Sequence, residues 1–237
     1  MTNTGQKVAV ITGASQGIGA GLVDAYRARG WAVVATSRSI AESRDPDVLT
    51  VQGDIADRAT AERVIAAGVE RFGRIDTLVN NAGIFISKEF TDFTEDDYDA
   101  VLGINVAGFF RISQLAIEQM LRQGGGHVVQ ISTSLVDHAN SNVPSVLASL
   151  SKGGLQAATK ALAIEYASRN IRSNAVALGT IKSPMHPEEH HDRLAALHPV
   201  GRMGEISDIT DAVIYLENAP FVTGVILPVD GGQSAGH

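Results

Sequence analysis

The stretch Val8-Ala9-Val10-Ile11-Thr12-Gly13-Ala14-Ser15-Gln16-Gly17-Ile18-Gly19 decides the fold. A short apolar run ends at a glycine. Two more glycines open an amphipathic run from Ile18 to Ala28, which Gly30 closes. This reads as strand, turn and helix. Gly13 permits the tight turn. Gly17 and Gly19 let backbone approach a pyrophosphate and let the helix pack on the sheet. The helix N-terminus then offers its free N–H groups to phosphate oxygens. The expected cradle is Gly13, Ser15, Gln16, Gly17, Ile18 and Gly19. The spacing Gly-x-x-x-Gly-x-Gly differs from the Gly-x-Gly-x-x-Gly fingerprint. It is not an ATPase-type loop either, because no Gly-Lys-Ser/Thr follows.

Outward from this stretch, strand and helix alternate. Apolar runs at Ala32–Ala35, Val48–Val51, Thr77–Val79, Val128–Ile131, Arg172–Ala177 and Val225–Val229 predict strands. Helical periodicity fills Ala59–Phe72, Asp97–Gln123 (one helix or two), Val146–Ser168 and Ile206–Leu216. Continuous apolar strands separated by helices predict a parallel sheet covered on both faces, an α/β doubly wound architecture. The loop Ser39–Pro46 is too short for a full crossover helix, so that crossover is expected to be abbreviated. No repeat, low-complexity segment or linker interrupts the chain, and one domain over residues 1–237 is the expectation.

Composition narrows the class. Of 237 residues, 26 are acidic and 19 are Lys or Arg, giving a net charge of −7. An acidic chain without a basic cluster argues against nucleic acid or anionic membrane as partner. No apolar run is long enough to predict a transmembrane helix, and Met1–Lys7 lacks the features of a signal peptide. Cysteine is absent, which excludes disulfides and thiolate metal sites and suits the reducing cytoplasm, the expected location. His186, His190 and His191 share one polar segment. Pro187 breaks the first turn there, so the segment reads as a polar face, and no metal is expected.

Further motifs carry a family resemblance. Asn80-Asn81-Ala82-Gly83 follows the fourth strand, Asn105 lies in a later apolar stretch, and Lys152 opens Lys-Gly-Gly-Leu on a helix. With the glycine turn, these make the chain similar, nearly end to end, to the short-chain dehydrogenases/reductases. The resemblance implies a Rossmann-type fold, a nicotinamide cofactor and a small-molecule substrate. It also implies a homotetramer or homodimer, and a mobile substrate lid around His186–His191. It places Asp54 and Ile55 beside the adenine, and Asn81, Ala82 and Gly83 along the cofactor's middle. At the end of the second strand, Ser37 stands where an acidic residue would select NAD. Arg38 follows and can grip a 2′-phosphate, which favours NADP over NAD.

The resemblance also defines a gap. The family pattern Tyr-x-x-x-Lys reads here Ala148-Ser149-Leu150-Ser151-Lys152. The family tyrosine exchanges a proton with the substrate oxygen, and the lysine holds the nicotinamide ribose and lowers the tyrosine pKa. Neither Tyr26, Tyr98, Tyr166 nor Tyr215 lies in this segment. Leu150 replaces the usual alanine, and Leu178-Gly179 replaces Pro-Gly. The implied site keeps Asn105, a hydroxyl at Thr133 or Ser134, and Lys152. Four substitutes for the tyrosine stand open: His138 as acid, Lys152 acting through water, a pre-protonated imine that needs no acid, or a nucleotide-binding protein with vestigial catalysis.

Overall fold

The computed structural model describes residues 5–236; residues 1–4 of the polar Met1–Lys7 stretch and His237 lie outside them. Strands β1 (Val8–Thr12), β2 (Ala32–Ser37), β3 (Val48–Gln52), β4 (Thr77–Asn80), β5 (Gly126–Thr133), β6 (Ile171–Leu178) and β7 (Ile226–Val229) form one sheet. Its order is β3-β2-β1-β4-β5-β6-β7. Every pairing is parallel. Seven continuous parallel strands must be covered on both faces, and alternate residues of β1 show how. Val8 and Val10 enter a core with α2 (Arg58–Phe72), while Ala9 and Ile11 enter another with α1 (Gly17–Arg27).

Between β2 and β3 there is no helix, as expected from the short loop. Arg27 at the end of α1 ties this connection down through Asp45 at 2.8 Å and Asp47 at 2.9 Å. The helical stretch expected from Asp97 begins earlier, at Glu95, because Thr94 forms a capping box with Asp97. It runs as α3 (Glu95–Leu102), a π-turn (Gly103–Gly108) and α4 (Phe109–Gln123). Taken together, Glu95–Gln123 is long and apolar enough to cross a membrane by composition. One face of this stretch, with Ile112, Ala116, Ile117 and Met120, is buried in the core beside the sheet.

Strands β5 and β6 are longer than their apolar runs. His127, Gln130 and Ser132 are buried polar residues, and each is paired in the ladder with β6. A parallel partner satisfies the backbone whatever the side chain, so polar residues extend the strand where an apolar-run criterion stops. The long helix α5 (Val146–Tyr166) packs against β5 and β6. A short α6 (His191–Ala195) follows β6, and α7 (Ile206–Glu217) packs beside α1.

Candidate active site

The direction of the crossovers reverses between β1 and β4, and the loops leaving these strands part at their carboxyl ends. A cleft of about 730 Å³ opens there. Thr12, the last residue of β1, joins the loops that leave β1 and β4. The Thr12 hydroxyl accepts the backbone N–H groups of Asn81 (3.1 Å) and Ala82 (2.9 Å). Asn81 returns its side-chain amide to the carbonyls of Thr12 (2.9 Å) and Gly13 (3.2 Å). The two loops are thereby stapled together. Gly13 lies at φ +65, and a β-carbon there would come within 2.9 Å of Ala82 Cα. Both the backbone turn and the close approach exclude a side chain.

Helix α1 starts at Gly17 with no side-chain cap from Gln16. Its first N–H groups are therefore left for another acceptor. Gly13, Ser15, Gln16, Gly17, Ile18 and Gly19 all line the cleft. So do Ser37 and Arg38, Asp54 and Ile55, and Asn81, Ala82 and Gly83. Every residue expected to contact a dinucleotide is thus brought to one surface.

Beyond the glycine turn, Thr133, Ala148 and Lys152 line the same cleft. Ala148 is buried and lies one helical turn before Lys152 on α5. Lys152 Nζ donates to the Ile131 carbonyl at 2.8 Å. No carboxylate pairs with it among the described residues, and burial lowers its pKa to about 8. A β-carbon at Gly83 would sit 2.9 Å from Lys152 Nζ and 3.2 Å from Asn105 Oδ1, so Gly83 is what lets lysine and asparagine converge.

Asn105 is buried in the π-turn. Its Oδ1 accepts from Ile84 N (2.9 Å), while its Nδ2 donates to Ile84 O (3.1 Å) and to Ser151 Oγ (3.1 Å). Both amide hydrogens are used, and Oδ1 accepts one bond. It clamps the loop after β4 to α5 and does not itself line the cleft.

The two hydroxyl candidates differ. Thr133 Oγ1 accepts from Leu135 N at 3.2 Å, which leaves its O–H to donate into the cleft. Ser134 is buried, and its hydroxyl donates to Gln233 Oε1 at 3.1 Å. Thr133 is the better placed to meet a substrate oxygen; Ser134 anchors the C-terminal segment. His138 is not among the cleft-lining residues. The turn that follows β5 carries it away, its backbone N–H donating to Ser134 O at 2.9 Å. Among the described residues the cleft instead takes His186, His190 and Arg193 from the segment after β6, and Gln233 from beyond β7. His186 Nδ1 lies 2.9 Å from the Ile181 carbonyl, and burial lowers its pKa. A largely neutral ring is a poor acid at neutral pH. Arg193 and Gln233 were not singled out from the sequence, and no local motif marks either one.

The comparisons decide the family. Residues 13–234 match a family model described as enoyl-(acyl carrier protein) reductase. A curated relative, the 3-oxoacyl-(acyl-carrier-protein) reductase FabG of Thermotoga maritima, is 34% identical over 241 residues, covering 95% of this chain and 97% of that protein. The chain belongs to the short-chain dehydrogenase/reductase family. Solved structures agree on the fold. One neighbour, ElxO with NADP bound, superposes with a TM-score of 0.90 at 28% identity, over 98% of this chain and 100% of that one. The 3-ketoacyl-(acyl-carrier-protein) reductase from Brucella melitensis complexed with NADH gives the same score and identity, over the same shares.

Proposed function

We propose that this short-chain dehydrogenase/reductase is an NADP-dependent oxidoreductase acting on a small carbonyl, alcohol or imine substrate with a non-standard proton donor. The observation that carries the reading is Lys152, a cation that lines one cleft with an uncapped helix N-terminus and with Arg38, which has no carboxylate partner among the described residues. These residues fit a dinucleotide. The amides at Gly17–Gly19 meet the pyrophosphate, Lys152 the ribose hydroxyls, and Ser37 with Arg38 a 2′-phosphate. When bound, the nicotinamide supplies or takes the hydride.

The chain's own residues do the rest. Thr133 donates a hydrogen bond to the substrate oxygen. Lys152, with its pKa brought to about 8, holds a proton that it can release near neutral pH and regain from solvent. Ala148 leaves room for a water or for the substrate itself between them. Arg38→Asp tests the cofactor assignment. NADPH should bind more tightly than NADH to the parent, and the order should reverse in the variant. Equal affinities in the parent would defeat it.

Ala148 also favours a second reading: a nucleotide-binding protein whose catalysis is vestigial. NADPH binding without turnover of any ketone, alcohol or imine would select that reading. For either, we propose a homodimer or homotetramer, supported by the exposed Phe110 on α4 and the exposed Leu150 and Ile164 on α5. Light scattering that shows a monomer at all concentrations would contradict it.

A further inference from the structure

We propose that the substrate carries an anionic group, and that Arg193 of α6 receives it. The inference rests on the oxidoreductase reading above and names its substrate class. The chain has a net charge of −7, yet its cleft reverses that sign. Arg38, Lys152 and Arg193 line it with His186 and His190, against Asp54 as the one carboxylate among the described lining residues. Asp54 is itself engaged, accepting from Ala56 N at 2.9 Å.

Cations elsewhere in the neighbourhood are neutralised. Lys88 pairs with Asp97 at 2.6 Å, Lys182 with Glu205 at 2.6 Å, and Arg202 with Asp208 at 2.7 Å. Arg193 has no such partner among the described residues, although Glu189 and Asp192 sit on the same short segment. Arg38 and Lys152 have assigned tasks on the cofactor. Arg193 is the cation left over.

Along the segment after β6, Arg193 comes after the part that covers the phosphate cradle. A β-carbon at Gly17 would lie 3.6 Å from both Ser183 and Pro184, so that part of the segment covers the glycine turn. Arg193 lies further along, followed by Leu194. Together with Leu197, Met185, Phe85, Leu135 and Val143, Leu194 contributes an apolar lining to the same cleft. The matching ligand has an aliphatic body, a carbonyl that reaches Thr133 and Lys152, and an anionic end. A guanidinium receives a carboxylate or phosphate through two parallel hydrogen bonds, which an ester or alcohol cannot reproduce.

Calorimetric titration of the NADPH-loaded protein with levulinate and with methyl levulinate tests this. The acid should bind about tenfold or more tightly than the ester. Arg193→Ala should abolish the difference, Arg193→Lys should keep part of it, and NADPH affinity should not change in either. Equal binding of acid and ester, no binding of the acid, or a preference that survives Arg193→Ala overturns the proposal. If Arg193→Ala weakens NADPH instead, the anion is a cofactor phosphate and the proposal is wrong. Should NADPH not bind at all, the oxidoreductase reading fails separately, and the same titration on the unliganded protein still decides the role of Arg193.

Discussion

Two groups of ionisable side chains, buried or partly buried, sit at opposite ends of the sheet, and they are built on opposite principles. At the amino ends of β4, β5 and β6, Glu217 Oε2 accepts from Thr77 Oγ1 (2.8 Å), Tyr26 Oη (3.1 Å) and His127 Nδ1 (3.1 Å). On the other side of the His127 ring, Asn174 Nδ2 lies 3.0 Å from Nε2, which fixes the neutral tautomer with its proton on Nδ1. Arg172 spends its guanidinium on the carbonyls of Leu216, Glu217 and Val222. Burial pulls the Glu217 carboxyl upward, but its hydrogen bonds outweigh that and hold it below its ordinary value. At the carboxyl ends, Lys152 has one carbonyl and no counter-charge among the described residues, and burial holds its pKa down at about 8. The satisfied network stabilises the fold. The unsatisfied lysine is kept for something that arrives.

The sharpest way to break this contrast is to complete the open end. Ala148→Tyr, tested also with Leu150→Ala, places a phenol one turn from Lys152, whose charge would favour the ionised form. Carbonyl reductase activity on a simple ketone should rise about 10²–10⁴-fold. Steady-state NADPH oxidation measures it. Robust parent activity that falls in both variants would show that another acid already works in that space.

Breaking the closed end should cost stability instead. Glu217→Ala strands three buried donors and is expected to destabilise by about 3–5 kcal/mol. Denaturant unfolding reads the loss, while NADPH affinity of the folded variant stays at the parent value. A loss below about 1 kcal/mol would mean that water replaces the carboxylate and that the network contributes little.

The smallest expected effect probes the lysine alone. Lys152→Met should weaken NADPH by about 1–3 kcal/mol through lost hydrogen bonds to the ribose. It should also change how stability depends on pH. The folded lysine titrates near pH 8 and the unfolded one near its ordinary value, about 10.5, so between these the unfolded chain binds more protons. Parent stability should therefore rise with pH across that window, and the variant should lack this part of the rise. Superimposable pH profiles for parent and variant would show that the amine is not held down by burial.

Much of this molecule is legible in local sequence. Glycine at position 13 permits the left-handed turn found there, and short apolar runs between helical segments encode a buried parallel sheet. That Ala148 stands four residues before Lys152 is a matter of identity and spacing along one helix. The cleft-lining roles of the Gly13–Gly19 turn, Ser37, Arg38 and Asn81–Gly83 follow from the same local logic, because strand ends and helix starts fix where those backbones lie.

Other features required the chain to close on itself. Ser134 and Gln233 are 99 residues apart, and their bond turns a candidate catalytic hydroxyl into an anchor. Asn105 is identifiable by motif, yet its occupation by Ile84 and Ser151 depends on a π-turn that no residue in Gly103–Gly108 announces. Arg193 looks like any solvated arginine until the fold sets it on the cleft without a carboxylate partner. Backbone shapes and available chemical groups are local, because they are properties of single residues and their near neighbours. Which polar groups are satisfied and which remain open is settled by packing, because a hydrogen-bond partner is chosen by proximity in space, and distance along the chain does not predict it.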